Sequence, residues 1–300
     1  MASPARIAII ACVAVAGFAA GALLYRAKIG GIPRGEQLAR LPQNRLRLAI
    51  DVQALRTAGI IEKFAGKSAE EPEYLAFVKE TGFDYKKDLD LVLASYSAEE
   101  TLAFLTGNFD WSSLRHYAAT HGGACDGDTC RMPASTPGRR LSFARLASSQ
   151  IAFASSADSE AVTKLNRSSG AKPSLPPSQP IWFLIPPDLL KDTSVLPGAA
   201  RMFATALSTS REVLIAIDGT AAGYQARLEA ECETPEQATQ MARELQAATT
   251  VLQRTMPPTK GPQTLSGILS AGKFSSENTK ITGLWPIDAG FFDAIAGSPE

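Results

Sequence analysis

The chain has only two histidines, His116 and His121, in 300 residues. Histidine is the side chain that titrates near neutral pH and a common metal ligand, so this scarcity narrows both roles. An excess of charge is also missing, since thirty Lys and Arg balance thirty Asp and Glu with no long run of one sign. Nucleic-acid binding leaves a basic footprint, so no nucleic-acid partner is expected. The four cysteines form no CxxC pair, and no serine stands in a GxSxG elbow. Zinc ribbons, thioredoxin-type redox sites and hydrolases of that elbow class therefore lack their signatures. Neither a catalytic residue, a cofactor nor a metal site is assigned. The hydrophobic fraction of 45% against 20% charged is an ordinary globular composition, long enough for one large domain or two smaller ones.

The N-terminus is the strongest local signal. Residues 7–25, IAIIACVAVAGFAAGALLY, carry no charge between Arg6 and Arg26. Nineteen such residues at the helical rise span about 28 Å, close to the bilayer hydrocarbon thickness. The run is long for the apolar core of a signal peptide, so an uncleaved anchor is expected, with cleavage near Ala20 or Ala22 as the alternative. Gly17 and Gly21 form a GxxxG face, which is common in text this rich in Gly and Ala. Arg26, Lys28 and Arg34 follow the span while Arg6 precedes it, which weakly favours a cytoplasmic bulk domain.

The cysteines argue the other way. CDGDTC, residues 125–130, places two thiols around an Asp-Gly-Asp turn. The CxxxxC spacing has no second ligand pair for zinc, and Asp126 and Asp128 lack the continuation of a calcium loop. The stretch reads as a tight hairpin stapled by a Cys125–Cys130 disulfide, worth roughly 2 kcal/mol on the chain-entropy model. A disulfide implies an oxidising compartment, so the bulk domain is expected outside the cytoplasm, periplasmic or at the cell surface. Cys232, at the end of the alternating run YQARLEAEC, reads as a buried small hydrophobe.

Past a six-residue flank and the anchor, residues 26–44 read as a juxtamembrane tether and 166–180 as a Ser/Pro linker. Between and beyond them stand two halves, 45–165 and 181–297, with a tail at 298–300. Their element order matches: strand, helical stretches, a strand pair, a helix, a second strand pair and a closing helix. The fold class expected is α+β, two topologically similar halves with mostly antiparallel sheets packed by helices. The long helix of the second half has Thr234 as N-cap, Pro235 next and Gln237 in a capping box. Ala238, Met241, Ala242, Leu245, Ala248 and Leu252 give it one apolar stripe before Pro257 and Pro258. Its counterpart runs from Asp110 and stops at Gly122–Gly123.

GILSAGKF, residues 267–274, matches GxxxxGK, but Phe274 replaces the hydroxyl that would hold magnesium. The flanking text reads helix then strand, the reverse of a phosphate loop, so Gly272 is expected near a helix end. Asn166-Arg-Ser168 is a glycosylation sequon by letter. Asp84, Lys86, Lys87 and Asp88 in GFDYKKDLD read as a solvated turn, and Trp111, Trp182 and Trp285 as core residues.

GFDYKKDLDLVLASY followed by FLTGNFDWSSLRHYAATHGG resembles uncharacterised bacterial envelope proteins. The resemblance implies an N-terminal anchor or signal and a duplicated α+β extracytoplasmic region, and it carries over no functional residue. The function expected is a non-catalytic, membrane-anchored binding or scaffold module with an envelope component as partner. One alternative is a hydrolase or transferase uniting carboxylates such as Asp84, Asp88 or Asp218 with His116 or His121. The other is a small-ligand or lipid carrier, which needs an apolar cavity between sheet and helices.

Overall fold

The computed structural model describes residues 31–61, 72–168, 177–191, 198–220, 223–255 and 264–288. The expected anchor at 7–25, most of the linker and all but the first residue of DAGFFDAIAG lie outside these residues. Among the described residues no helix is long and apolar enough to cross a membrane.

Among the described residues twelve strands form where β-branched, aromatic and aliphatic residues alternate or run together. In the first half they are β1 (Leu46–Asp51), β2 (Leu89–Tyr96), β3 (Thr101–Gly107), β4 (Ala124–Asp126), β5 (Thr129–Pro133), β6 (Arg140–Ala147) and β7 (Gln150–Ser156). The second half supplies β8 (Ile181–Ile185), β9 (Glu212–Thr220), β10 (Gly223–Glu231), β11 (Lys273–Glu277) and β12 (Lys280–Ile287). As expected the sheet is antiparallel, and among the described residues all twelve strands make one sheet in the order β11-β12-β10-β9-β8-β1-β2-β3-β7-β6-β5-β4. Its continuity has a physical cause. The first strand of each half is apolar with an open edge, and pairing β1 with β8, Ala49 opposite Trp182, removes both edges at once. Reading outward from that pair, β1-β2-β3-β7-β6 on one side faces β8-β9-β10-β12-β11 on the other, and β5-β4 extend only the first.

Helices cover both faces. On one face α1 (Arg34–Arg40) and α6 (Ala161–Arg167) lay Leu38, Val162 and Leu165 over Leu93, Phe104, Ala152 and Trp182. Helix α1 corrects the tether reading: Leu38 and Leu41 are 1% and 2% exposed, so the stretch before β1 is part of the core. Pro33 before its first turn favours helix entry, and Leu38 and Leu41 three residues apart supply one apolar side. On the opposite face of the second half pack α8 (Gly198–Leu207), α9 (Pro235–Thr255) and α10 (Leu265–Ser270). Their Phe203, Leu245 and Ile268 meet Leu228, Ile281 and Trp285. The Thr234 hydroxyl accepts from Gln237 N at 3.2 Å, while Gln237 Oε1 accepts from Glu233 N at 2.8 Å, one residue before the cap itself. In the GILSAGKF stretch Gly267 sits in α10 and Lys273 opens β11, helix before strand as the text suggests. Gly272 is required for space, because a Cβ there would lie 2.6 Å from Trp285 Nε1.

In the first half that same face carries α2 (Val52–Thr57), whose Val52 and Leu55 pack on Ile50 and Val92. Beyond it lie α3 (Pro72–Thr81), the single turn α4 (Tyr85–Asp88) and α5 (Trp111–Thr120); α7 (Pro187–Lys191) follows β8.

Candidate functional site: an aromatic cavity with polar exits

Side chains alternate along a strand, so the face of β3, β7 and β6 opposite Phe104 and Ala152 presents Leu105, Ile151, Phe153, Leu141 and Phe143. The register aligns them, with Leu105 opposite Ile151 and Phe153 opposite Phe143. Helices α3 and α5 stand over this face without filling it. Between them is a cavity of about 190 Å³, walled by those residues together with Phe77, Phe83, Phe109, Leu114, Tyr117 and Met132. No polar atom contributes to its surface.

Ring contacts hold the roof. Phe77 of α3 meets Tyr117 of α5 edge-on at 5.1 Å, and Phe83 stacks on Phe109 at 5.2 Å. His121 stacks on Tyr117 at 4.0 Å, and its Nδ1 lies 3.8 Å from Glu80 of α3. Burial pushes the Tyr117 hydroxyl above its ordinary pKa, helped by Glu80 and Glu73 nearby. The phenol is therefore neutral at the cavity rim.

The stapled hairpin reaches the cavity through Met132 of β5. Cys125 and Cys130 face each other across β4 and β5 with Cα atoms 4.0 Å apart, joined as a disulfide, and Gly127 takes φ +55° in the turn. Cys130 is fully buried against Ala118 of α5, with Met132, Tyr117 and Phe143 around it. Gly123 allows this approach, since a Cβ there would meet Arg131 O at 2.5 Å and Ala118 O at 2.7 Å.

Two clefts adjoin the cavity. The first, about 530 Å³, shares Phe109 and is lined by Trp111, Ser112, Arg115, Arg145 and Ser148. Arg145 follows Phe143 on the same side of β6, lies 5.6 Å over the Trp111 ring, and reaches Asp128 at 2.8 Å. Asp110 spends its charge as the α5 cap. It accepts from Ser112 N at 2.9 Å and from Ser113 Oγ at 2.8 Å, and the Ser113 bonds hold its carboxyl below the usual range. The second cleft, about 420 Å³, shares Phe83 and Phe109 and carries Lys79, Glu80, Asp88 and Asn108. There Asp88 accepts from Asp84 N at 2.8 Å and Glu80 faces His121. Among the described residues Arg115 and Lys79 form no ion pair. The first cleft holds Arg115 and Arg145 against Asp110, while the second sets Glu80, Asp88 and Asp110 around the one Lys79, so only the first is cationic.

The turn expected to be solvated is a built element. Asp84 caps α4, accepts Tyr74 OH at 2.8 Å and Lys86 N at 3.0 Å, and its side chain is only 15% exposed. Burial alone would raise its carboxyl, but the bonds from Tyr74, Lys86 N and Lys87 outweigh that and lower it. Asp84 is a structural cap, not an acid aimed at a substrate.

The rival carboxylate–histidine constellation is not assembled. His121 faces Glu80, Asp84 is held by Tyr74, and Asp218 lies on β9 in the other half. His116 is exposed on α5. Among the described residues no group of three His, Cys, Asp or Glu is placed to hold a metal. Trp182 and Trp285 are core residues, 2% and 5% exposed, while Trp111 sits half-buried beside the first cleft. Cys232 is buried, and its surroundings raise its thiol. The phenylalanines of the cavity were missed in the sequence, although Phe83 and Phe109 stand in GFD and NFDW, two stretches already notable there.

The fold defines an α+β protein with one large antiparallel sheet packed by helices. It is similar to three crystal forms of TP0453, a Treponema envelope protein of unknown function. Form III has a TM-score of 0.51 at 11% identity, covering 88% of this chain and 98% of that one. Forms IV and I give 0.48 and 0.47 at 11% identity, with 90% and 87% of this chain and 98% and 96% of theirs covered. At that identity the likeness shows the fold alone. No family model and no curated protein matches the sequence.

Proposed function

We propose that the protein is a non-catalytic binding module whose aromatic cavity takes the apolar end of one anionic amphiphile. The cavity carries this reading: it is walled by aromatic and aliphatic side chains, lined without a polar atom, and shares Phe109 with a cleft that holds Arg115 and Arg145. Size limits the ligand. A cavity of about 150 Å³ lined by aliphatic and aromatic groups holds a benzene ring. This one, about 190 Å³, suits one ring or the last carbons of a single chain, not a whole two-chain lipid. An anionic head would then lie toward Arg115 and Arg145.

Titration calorimetry with octanoate, hexanoate and octylammonium tests it. Octanoate is expected to bind, with hexanoate about 15-fold weaker because each buried methylene is worth about 0.8 kcal/mol. Octylammonium is expected to bind at least ten-fold more weakly than octanoate. No heat with octanoate, or equal affinity for the two head charges, would sink the reading.

We further propose that residues 7–25 anchor the domain and that it works outside the cytoplasm, within reach of an envelope partner. The apolar run and the Cys125–Cys130 disulfide support this. Alkylation of native membranes without prior reduction should leave both cysteines unlabelled; two labelled thiols would place the domain in the cytoplasm. The matched strand order about the β1–β8 pair supports a duplication of residues 45–165 as 181–297, with the β4–β5 hairpin added to the first copy.

A further inference from the structure

The two ends of the sheet differ in how they are finished. At one end β4 is three residues long and stapled to β5. At the other, β11 is five residues, KFSSE, paired to β12 without a bulge and to no strand on its outer side among the described residues. Edge strands are ordinarily blunted by brevity, proline, a bulge or a central charge, because their free N–H and C=O groups template another strand. β11 has no proline and no bulge, and its two charges, Lys273 and Glu277, stand at its ends and leave the centre to serines. Lys273, Ser275, Ser276 and Glu277 are exposed, while Phe274 keeps its ring on the helix-covered face, 5.2 Å from Trp285.

The text of β11 also complements itself. Laid antiparallel against a second copy about Ser275, Lys273 of each chain stands opposite Glu277 of the other, and the two serines meet at the centre. Period-two alternation puts Lys273, Ser275 and Glu277 on one face, so both ion pairs form on the same side of the joined sheet. Neither residue forms an ion pair among the described residues. The arrangement is two-fold and closes on itself, as a dimer interface must. We propose that β11 is a homodimerisation edge whose partner is β11 of a second copy. Five residues of strand bury less than a standard interface, so the dimer is expected to be weak and concentration-dependent.

Sedimentation of the full chain in detergent over a concentration series tests this, with charge reversals that leave the anchor untouched. Lys273→Glu and Glu277→Lys each place like charges opposite and are expected to weaken dimerisation at least ten-fold. The double variant restores the pairing in reverse and should dimerise like the parent. An equimolar mixture of the two single variants should form heterodimer, since one presents two anions and the other two cations. Both positions are exposed, and unchanged circular dichroism would show the fold is kept. Dimerisation indifferent to the single reversals assigns it to another surface and overturns the proposal. So does a parent that stays monomeric into the millimolar range. A monomer whose outward β11 amides exchange slowly would give the edge to the chain's own 289–300 segment, also against it.

Discussion

Trp182→Ala is expected to lower the unfolding free energy by about 3–5 kcal/mol, the range for emptying a large aromatic site. Trp182 is 2% exposed on β8, directly opposite Ala49 of β1 and Ala216 of β9, which are 3% and 1% exposed. A large ring between two alanines fills the space those small residues leave, and neither neighbour can grow to close the gap. The site lies at the pair that joins both halves, so the loss should be felt by the whole sheet. Trp285→Ala should cost less, because Trp285 Nε1 is buried without a hydrogen-bond partner and its removal also relieves that unmet donor. Urea unfolding followed by far-ultraviolet circular dichroism and by the fluorescence of the remaining tryptophans checks both points. One coincident transition, shifted more in Trp182→Ala than in Trp285→Ala, is expected. Two separated transitions would mean that the halves unfold independently despite sharing β1–β8.

Local signals were readable before the structure. The cap Thr234, the stripe from Ala238 to Leu252, and the Asp-Gly turn between Cys125 and Cys130 each rest on neighbours within a few residues. Such features are set by backbone propensity and short-range hydrogen bonds, so text alone carries them. The joining of β1 to β8 was not readable. Leu48 and Phe183 meet across a separation that no local pattern encodes, and each strand alone reads equally well as the edge of its own sheet. Helix α1 was hidden by the Gly and Pro around it, although Leu38 and Leu41 already marked an inward side. The cavity was hidden for a different reason. Its phenylalanines come from positions 77, 83, 109, 143 and 153, on a helix, two loops and two strands. Only the register of β3, β7 and β6, together with the approach of α3 and α5, brings them together.

Leu105→Trp is expected to abolish octanoate binding, with affinity down by at least a hundred-fold. Leu105 projects from β3 into the floor of the cavity, so an indole there takes the space a ligand would use. Overpacking a formed core costs roughly 1–3 kcal/mol, and here an existing void absorbs part of the added volume, so the lower end is expected. The variant should therefore stay folded while losing its ligand, which separates a blocked site from a broken protein. Leu105→Ala runs the other way. It enlarges the void and costs about 2–5 kcal/mol, yet should keep binding and accept a longer chain, so that decanoate gains on octanoate. Calorimetry on the three proteins with octanoate and decanoate reads both effects, and urea midpoints read the stabilities. If Leu105→Trp binds octanoate as the parent does, the ligand lies elsewhere and the cavity is only an imperfection of packing. If it loses binding but unfolds with Leu105→Ala at the same low urea, stability alone explains the loss. The reading stands on the remaining combination: a stable Leu105→Trp that cannot bind beside a weakened Leu105→Ala that can.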